Sequence, residues 1–360
     1  MLLDPFEFRN GVRVRNRVWL APLTNMQSAA DGSLSDDELH FLELRALGGF
    51  GVIETCASHV ARDGQGWPGE LGIFEDRLLP GLERLAKTLT RAGALSFVQL
   101  FHGGLRSPST LTGQQPWTAT AVPAAQGSEA ARAATEADLW RVIGDFRDAA
   151  VRAEQAGFAG VELHGAHGYL LCQFLSATLN TRTDDFGGSL TGRARLLRET
   201  LRAVRAAVPS RFIVGVRLSP EDFGNARGLD LDESLQIAAW LAEDGADFIH
   251  LSLWSSANNT QKRPGEHPLP LFRAAVPRDV SLVVAGKIWT RAEGESLLER
   301  GASAVALGQA AIANPDWALR SADASWQPRR PPFTLAELAD RGLNPTFANG
   351  MRRWSGFVTE

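Results

Sequence analysis

The sequence predicts an α/β protein, an eight-stranded (β/α)8 TIM barrel that forms one domain over residues 1–360. Three observations carry this prediction: eight short runs rich in Val, Ile, Leu and Phe, helical segments between them, and glycines that repeatedly end those segments. Strands that helices cover on both faces have such nearly continuous apolar runs. A doubly wound open sheet is the alternative, but no Gly-x-Gly-x-x-Gly follows the first run.

The predicted elements begin with a hairpin over residues 1–16, because polar and apolar residues alternate around Asn10-Gly11. The eight predicted barrel strands are Val18–Leu23, Gly51–Thr55, Ser96–Phe101, Gly160–His164, Phe212–Leu218, Phe248–Leu253, Leu282–Ala285 and Ala304–Leu307.

The helices between the strands carry their own start and stop signals. The capping-box patterns are Ser35 with Glu38, Thr135 with Asp138, and Thr290 with Glu293. Four helices are expected to end at a glycine in the left-handed conformation, directly before the next strand: Gly93, Gly157, Gly245 and Gly301.

Two connections are too long for plain turns, residues 103–134 and 254–272. Both follow predicted strands, so they extend the C-terminal face of the barrel, where barrel enzymes hold their active sites. Residues 321–360 form a C-terminal extension that is expected to be helical around Leu335–Ala339. Trp354 and Phe357, near its end, need a surface to pack against. Arg352, Arg353 and Trp354 are expected to dock on the chain's own barrel or to reach a neighbouring subunit.

Composition narrows the class of partner. The 360 residues are 44% hydrophobic and 22% charged, with a net charge of −4, so no basic surface indicates nucleic acid or anionic lipid. Two cysteines fit a reducing compartment. Neither a signal peptide nor an apolar run of about 20 residues is found. We expect a soluble, cytoplasmic protein with a small-molecule substrate and no nucleic-acid or membrane partner. The sequence is compatible with a monomer and with a homo-oligomer.

The densest group of reactive side chains follows the fourth predicted strand, where His164, His167 and Tyr169 lie within six residues. Imidazole N–H groups can stabilise charge on a carbonyl oxygen, and a phenol can act as a general acid. Tyr169 is the only tyrosine in the chain. A pair of capping histidines with a packed tyrosine is the structural alternative.

A second group predicts a phosphate site after strands seven and eight. Gly286-Lys287 and Gly308-Gln309 each follow an apolar strand, and these loops bind phosphate in many barrels. Plain tight turns are the alternative. Arg217 and Gln99 are polar side chains inside apolar runs, and we interpret both as ligand contacts. For Arg217, a buried salt bridge is the alternative.

Other chemistries have weaker support. Lys287 at the end of strand seven is the candidate for a Schiff-base aldolase or lyase without flavin. No metal site is expected, since the strand ends lack a set of metal-ligand residues. Cys172 lies in an apolar stretch, and no Gly-x-Ser-x-Gly motif indicates a serine hydrolase.

From Asn16 to Trp317 the chain resembles the Old Yellow Enzyme family of FMN-dependent oxidoreductases. The motifs that carry this resemblance are Asn16-Arg17-Val18, Ala21-Pro22-Leu23-Thr24, Val98-Gln99-Leu100-Phe101-His102, Ala156-Gly157-Phe158 through His164-Gly165-Ala166-His167-Gly168-Tyr169, Gln173-Phe174-Leu175-Ser176, Asn180-Thr181-Arg182-Thr183-Asp184, Gly187-Gly188 and Val216-Arg217-Leu218-Ser219-Pro220.

The resemblance implies a TIM barrel that binds FMN at its C-terminal mouth and is closed below by the hairpin. It implies contacts to the isoalloxazine ring from Pro22, Leu23, Thr24 and Thr55, to its pyrimidine edge from Gln99 and Arg217, and to the phosphate from Gly286, Lys287, Gly308 and Gln309. NADH or NADPH is the implied reductant.

The implied reaction is reduction of an activated alkene, an α,β-unsaturated carbonyl or nitro compound. His164 and His167 bind the electron-withdrawing oxygen, hydride arrives from the flavin, and Tyr169 donates a proton. Gln309 stands where the family usually has an arginine that pairs with the FMN phosphate, which predicts weaker FMN retention. A barrel that binds flavin or a metabolite without catalysis is the non-enzyme alternative.

Overall fold

Eight parallel strands close a barrel in the computed structural model, which describes residues 1–126 and 128–359; Gly127 and Glu360 lie outside the described residues. The described strands, in chain order, are β1 Phe6–Glu7, β2 Arg13–Val14, β3 Val18–Leu20, β4 Val52–His59, β5 Leu95–Phe101, β6 Trp117–Thr118, β7 Arg132–Ala133, β8 Gly160–Gly165, β9 Ile213–Leu218, β10 Phe248–Ser252, β11 Ser281–Ala285 and β12 Ala304–Leu307. The barrel order is β3-β4-β5-β8-β9-β10-β11-β12, and β12 pairs with β3.

Helices cover the outside of the barrel. The described α-helices are α1 Asp36–Leu47, α2 Leu79–Arg91, α3 Ser109–Thr112, α4 Glu136–Gln155, α5 Leu170–Leu175, α6 Leu190–Ala207, α7 Leu231–Glu243, α8 Pro268–Ala275, α9 Arg291–Glu299, α10 Gln309–Ala313, α11 Trp317–Arg320, α12 Leu335–Ala339 and α13 Pro345–Gly350. The predicted barrel is therefore confirmed, with every predicted strand present in parallel pairing.

Two strand ends differ from the prediction by more than one residue, and both differences shape the mouth of the barrel. The first barrel strand ends at Leu20, so Pro22–Thr24 leave the sheet. Strand β4 continues past Thr55 to His59, and its register against β5 shifts between Glu54 and Ala57. Such a bulge changes which side chain points into the barrel.

The predicted hairpin is present as antiparallel β1 and β2, with Gly11 at φ +84° in the turn. It closes the bottom of the barrel. Phe8 lies within ring contact of Trp19 (6.0 Å), Phe97 (6.2 Å) and Phe248 (6.3 Å), which fill the lower barrel interior. This aromatic layer removes water from one end, so ligands can enter only at the C-terminal mouth.

The helix signals are confirmed with one exception. Gly93, Gly157, Gly245 and Gly301 all have positive φ. The capping boxes at Thr135 and Thr290 are complete. At Ser35 only half of the box forms: Ser35 accepts from the backbone of Glu38, but the Glu38 carboxyl turns inward to Asn25 (3.1 Å) and Ser28.

The C-terminal extension returns to the chain's own barrel. Its helix α12 spans the predicted Leu335–Ala339, and Phe357 is buried, with Phe333 N donating to its carbonyl at 2.9 Å. Arg353 and Trp354 thereby reach the mouth of the barrel. Among the described helices, none has the length and apolar character to cross a lipid bilayer.

Candidate active site

A cavity of about 450 Å³ opens at the C-terminal ends of the barrel strands. The residues that line it are Ala21, Pro22, Leu23, Thr24, Arg106, His167, Tyr169, Arg217, Phe223, Gly224, Asn225, Ser252, Leu253, Trp254, Ala285, Gly286, Lys287, Ile288, Trp289, Gly308, Gln309, Ala310, Arg353 and Trp354. A smaller chamber of about 100 Å³ shares several of these walls and adds Ala57, Trp67, Gln99 and His164. All but one of the predicted site residues line one of these spaces.

Thr55 is the exception. Its side chain is fully buried, and its hydroxyl donates to the carbonyl of Cys56 at 2.7 Å. Ala57 lines the chamber in its place, because the register shift in β4 moves the inward position along the strand. The structure therefore places Ala57, and not Thr55, on the wall of the chamber.

His164 and His167 lie side by side, with His164 Nε2 3.2 Å from His167 Nδ1. Burial, and then neighbouring positive charge, holds the pKa of both imidazoles well below the usual value, so both are neutral. His164 Nδ1 accepts from the backbone N–H of Ala166 at 3.3 Å. The proton of His164 is therefore assigned to Nε2, which faces His167.

Ser252 holds the far ring nitrogen of His167. Its Oγ lies 2.6 Å from His167 Nε2 and accepts from Arg217 Nη2 at 3.2 Å. A hydroxyl oxygen has two acceptor lone pairs, so Ser252 can accept from both Arg217 and His167. Because His164 Nε2–H donates to His167 Nδ1, the proton of His167 is on Nε2 and is donated to Ser252. The two adjacent imidazoles line the chamber and can offer N–H groups to a ligand oxygen, His167 after a shift of its proton to Nδ1.

The backbone around His167 is held under strain. His167 has φ +61°, which is uncommon for a residue other than glycine. Its N–H donates to Ser219 Oγ at 3.1 Å, and its carbonyl accepts from Arg106 Nη1 at 3.1 Å. These contacts fix the direction of the imidazole.

Tyr169 lies beside the histidines, with its ring centroid 5.0 Å from that of His164. Phe101 packs edge-on against it at 4.5 Å, and the guanidinium of Arg106 lies 4.3 Å from the ring centroid. Burial raises the pKa of the Tyr169 phenol above its usual value, so the phenol keeps its proton at neutral pH. It can act as a general acid beside the paired N–H groups.

Arg217 and Gln99 together offer hydrogen-bonding groups that can bind the polar edge of a ring. Arg217 is buried, and its Nε has no hydrogen-bond partner among the described residues. A buried donor without a partner is costly, so it points to a ligand acceptor. Gln99 lies on the adjacent wall of the chamber. This pair fits the pyrimidine edge of a flavin, which offers both acceptors and an N–H.

The opposite end of the cavity is formed by the loops after β11 and β12. A Cβ added to Gly308 would have only Leu23 within 4 Å, at 3.5 Å, so this glycine leaves its side of the cavity open. Lys287 (φ +51°) is exposed, with its Nζ 5.0 Å from the ring centroid of Trp254. A Schiff-base lysine is desolvated in an apolar pocket, and Lys287 lacks that environment.

Sequence reasoning missed several cavity residues. Ser252 and Phe223 gave no signal beyond their place near strand ends. Trp254 and Trp354, 6.4 Å apart between ring centroids, form an aromatic rim from distant parts of the chain. Only the unexplained tryptophan near the C-terminus hinted at this contact.

One trio of described residues brings metal-ligand atoms within 4.8 Å of one another: Glu54, Glu162 and His250. No metal site was predicted from the sequence, and these residues were not among the predicted site residues. They lie inside the barrel below the cavity, on β4, β8 and β10.

Comparison with known proteins gives consistent matches. A sequence profile of the NADH:flavin oxidoreductase / NADH oxidase family matches residues 1–325. The Bacillus subtilis protein named "Probable NADH-dependent flavin oxidoreductase YqiG" is 34% identical over 327 residues, which cover 89% of this chain and 87% of that protein. The NADH:fumarate oxidoreductase of Klebsiella pneumoniae is 32% identical over 89% of this chain, which spans only 36% of that longer protein.

Comparison of the fold with solved structures finds similar proteins. An old yellow enzyme homologue from Zymomonas mobilis superposes with a TM-score of 0.82 at 26% identity, covering 96% of this chain and 98% of that one.

Proposed function

Because this chain belongs to the NADH:flavin oxidoreductase / NADH oxidase family and is an NAD(P)H-dependent flavin oxidoreductase with FMN as its cofactor, we propose that it is an ene-reductase. Its substrates are α,β-unsaturated carbonyl or nitro compounds, and Tyr169 is the proton donor. The observation that carries the proposal is the pair of adjacent, neutral imidazoles of His164 and His167 on the chamber wall, with the Tyr169 phenol beside them.

The residues present fit FMN. Gln99 and Arg217 would hold the pyrimidine edge, Pro22, Leu23 and Thr24 would line the ring, and Gly286, Lys287, Gly308 and Gln309 would surround the phosphate. The chemistry that FMN supplies when bound is hydride transfer, from NADH or NADPH to the flavin and from the flavin to the β-carbon of the alkene.

The protein's own contribution is to polarise the substrate and to supply a proton. His164 Nε2–H, and His167 once its proton is on Nδ1, would donate to the carbonyl or nitro oxygen and stabilise the negative charge that develops there. The phenol of Tyr169 gives its proton to the α-carbon. Since both imidazoles are neutral, they act as hydrogen-bond donors and leave the proton transfer to Tyr169.

The proposal is tested by turnover of 2-cyclohexenone with NADH and with NADPH under anaerobic conditions. We expect consumption of reductant matched by formation of cyclohexanone, the product in which the C=C bond alone is reduced. Flavin reduction without any turnover of unsaturated ketone or nitroalkene would contradict it. Borohydride treatment with a carbonyl substrate and mass analysis tests Lys287; no covalent adduct is expected.

Gln309 is expected to weaken retention of FMN. Gln309 lines the phosphate end of the cavity, where a guanidinium would add charge-assisted hydrogen bonds. Such bonds contribute about 1.5–3 kcal/mol. Gln309→Arg should therefore lower the dissociation constant of FMN by about tenfold or more. The measurement is fluorescence titration of apoprotein with FMN.

The control variant is Gln155→Arg. Gln155 is exposed at the C-terminal end of α4, at the opposite end of the barrel. An arginine there adds the same charge as Gln309→Arg, but away from the cavity. Its FMN affinity should equal that of the wild type. If Gln309→Arg also leaves the affinity unchanged, Lys287 and the backbone already hold the phosphate fully, and Gln309 is not a deficit.

A further inference from the structure

Three ionisable side chains lie inside the barrel where the proposed mechanism does not use them. Glu54, Glu162 and His250 are each fully buried. They occupy the level between the aromatic layer of Phe97 and Phe248 and the cavity, because alternate residues of a strand point to the same face. A buried charge is costly unless it is paired, so the protonation of this cluster is constrained.

Glu162 is the member with hydrogen-bond partners on both oxygens. Gln99 Nε2 donates to its Oε1 at 2.7 Å, and His250 Nδ1 lies 2.6 Å from its Oε2. Although burial opposes ionisation, His250 and then Arg217 hold the pKa of Glu162 below its usual value. The carboxylate form is the one that these donors stabilise.

Glu54 is in the opposite situation. Among the described residues neither of its oxygens has a hydrogen-bond partner, and His250 Nδ1 is 3.9 Å from its Oε1. Burial, and then the negative charge of Glu162, raises the pKa of Glu54 well above its usual value. Two carboxyls at such close range do not both ionise in a low-dielectric interior.

His250 is neutral by the same reasoning. Its Nδ1 donates to Glu162, while its Nε2 is buried without a partner. An imidazolium would bury an unpaired N–H at that position, whereas the neutral ring leaves only a lone pair. Burial also lowers the pKa of His250. The cluster then holds one negative charge, on Glu162, against the positive charge of Arg217.

We propose that Glu162 is a positioning residue that sets the charge beneath the cofactor site and orients Gln99, while Glu54 is a neutral carboxylic acid. Because one N–H of the Gln99 amide is held by Glu162, the amide plane is fixed, and its carbonyl oxygen and second N–H are left for the cavity. Glu162 also balances Arg217, so it moderates how strongly that guanidinium attracts negative charge on a ligand ring. The inference rests on the proposed function only where it treats Gln99 and Arg217 as cofactor contacts.

A metal ion fits the cluster less well than protons do. Glu162 uses both oxygens for hydrogen bonds, and the shared Nδ1 of His250 is one of the donors. A cation would have to break both bonds while lying near the buried guanidinium of Arg217. Protons satisfy the same groups without that repulsion.

The first test asks which carboxyl is protonated, and it uses the apoprotein and the holoenzyme alike. Infrared spectra at pH 7 are recorded for the wild type and for E54Q, which keeps the shape of the side chain. Glu38 and Glu70 are also buried with raised pKa values, so the difference spectrum is needed. We expect E54Q to lose one carbonyl band of a protonated acid. Loss of carboxylate bands would overturn the assignment.

The second test measures the midpoint potential of bound FMN in wild type, E54Q and E54Q/E162Q. Reduction adds negative charge to the ring, so removal of the Glu162 charge favours the reduced enzyme. E54Q should leave the potential unchanged. Relative to E54Q, the double variant should shift the equilibrium at least tenfold towards reduced flavin, about 30 mV for two electrons. In both variants Glu54 cannot ionise, so the comparison isolates Glu162.

A double variant with the potential of E54Q would overturn the role of Glu162. Should the double variant lose FMN, E54Q still tests the charge assignment. A more positive potential of its bound FMN, or unchanged infrared bands in the folded E54Q protein, would overturn the neutral state of Glu54. Failure of the wild type to bind FMN would count against the proposed function instead, and the infrared difference would still decide the protonation of Glu54.

Discussion

Tyr169→Phe is expected to slow reduction of the alkene by about 10²–10⁴-fold, the usual contribution of a positioned general acid. The change removes only the phenolic oxygen, and the ring contacts with Phe101 and His164 remain. Reduction of the flavin by NAD(P)H needs no proton from Tyr169, so its rate should be unchanged. Stopped-flow measurement of the two half-reactions separates these effects. Equal loss in both would contradict the proton-donor role.

The same residue gives a direct pH test. Tyr169 is the only tyrosine in the chain, so an ultraviolet titration of phenolate absorbance reports on it alone. Burial raises the pKa of Tyr169, so the phenol stays protonated above its ordinary pKa of about 10. The rate of alkene reduction should therefore be constant through that pH and fall only above it. A phenolate that appears below pH 10 would contradict the assigned environment.

Replacement of both His164 and His167 by alanine is expected to abolish binding of phenolic ligands to the oxidised enzyme. The two imidazoles lie side by side at the proposed position of the ligand oxygen, and loss of a single donor in such a site costs about 10²–10³-fold. Binding is followed by the long-wavelength absorbance that a phenolate gives when it stacks on oxidised flavin. Phenol binding of wild-type strength in the double variant would remove the histidines from the site.

Ser252→Ala is expected to weaken phenol binding less than the double alanine variant does. It keeps both imidazoles but removes the hydroxyl that is hydrogen-bonded to His167 Nε2. We expect phenol affinity between those of the wild type and the double alanine variant. Since Arg217 also loses an acceptor, the FMN content of each preparation is the control.

The barrel was predictable because its signals are local. Apolar runs, cap residues and glycines before strands each act over a few positions, so every barrel strand was placed. The register shift between Glu54 and Ala57 could not be predicted in this way, because it depends on the pairing of β4 with β5. That shift is the reason that Thr55 was assigned to the cavity in error.

The site was predictable where polar residues interrupt a pattern. Arg217 and Gln99 were singled out because they lie in apolar strands. Glu54, Glu162 and His250 interrupt their strands in the same way, and the signal was available for them. The contact of Trp354 with Trp254 has no such signal in the sequence. It joins segments 100 positions apart, and only the complete fold brings them together.

The most direct test of the account is the visible absorption spectrum of the freshly purified protein, taken before and after addition of FMN and desalting. We predict a flavin band that remains after desalting, that NADH or NADPH bleaches without oxygen, and that 2-cyclohexenone restores. A protein that takes up FMN only when it is added would be consistent with weak phosphate binding at Gln309. A protein that never retains FMN, or a reduced flavin that the alkene leaves bleached, would contradict the account.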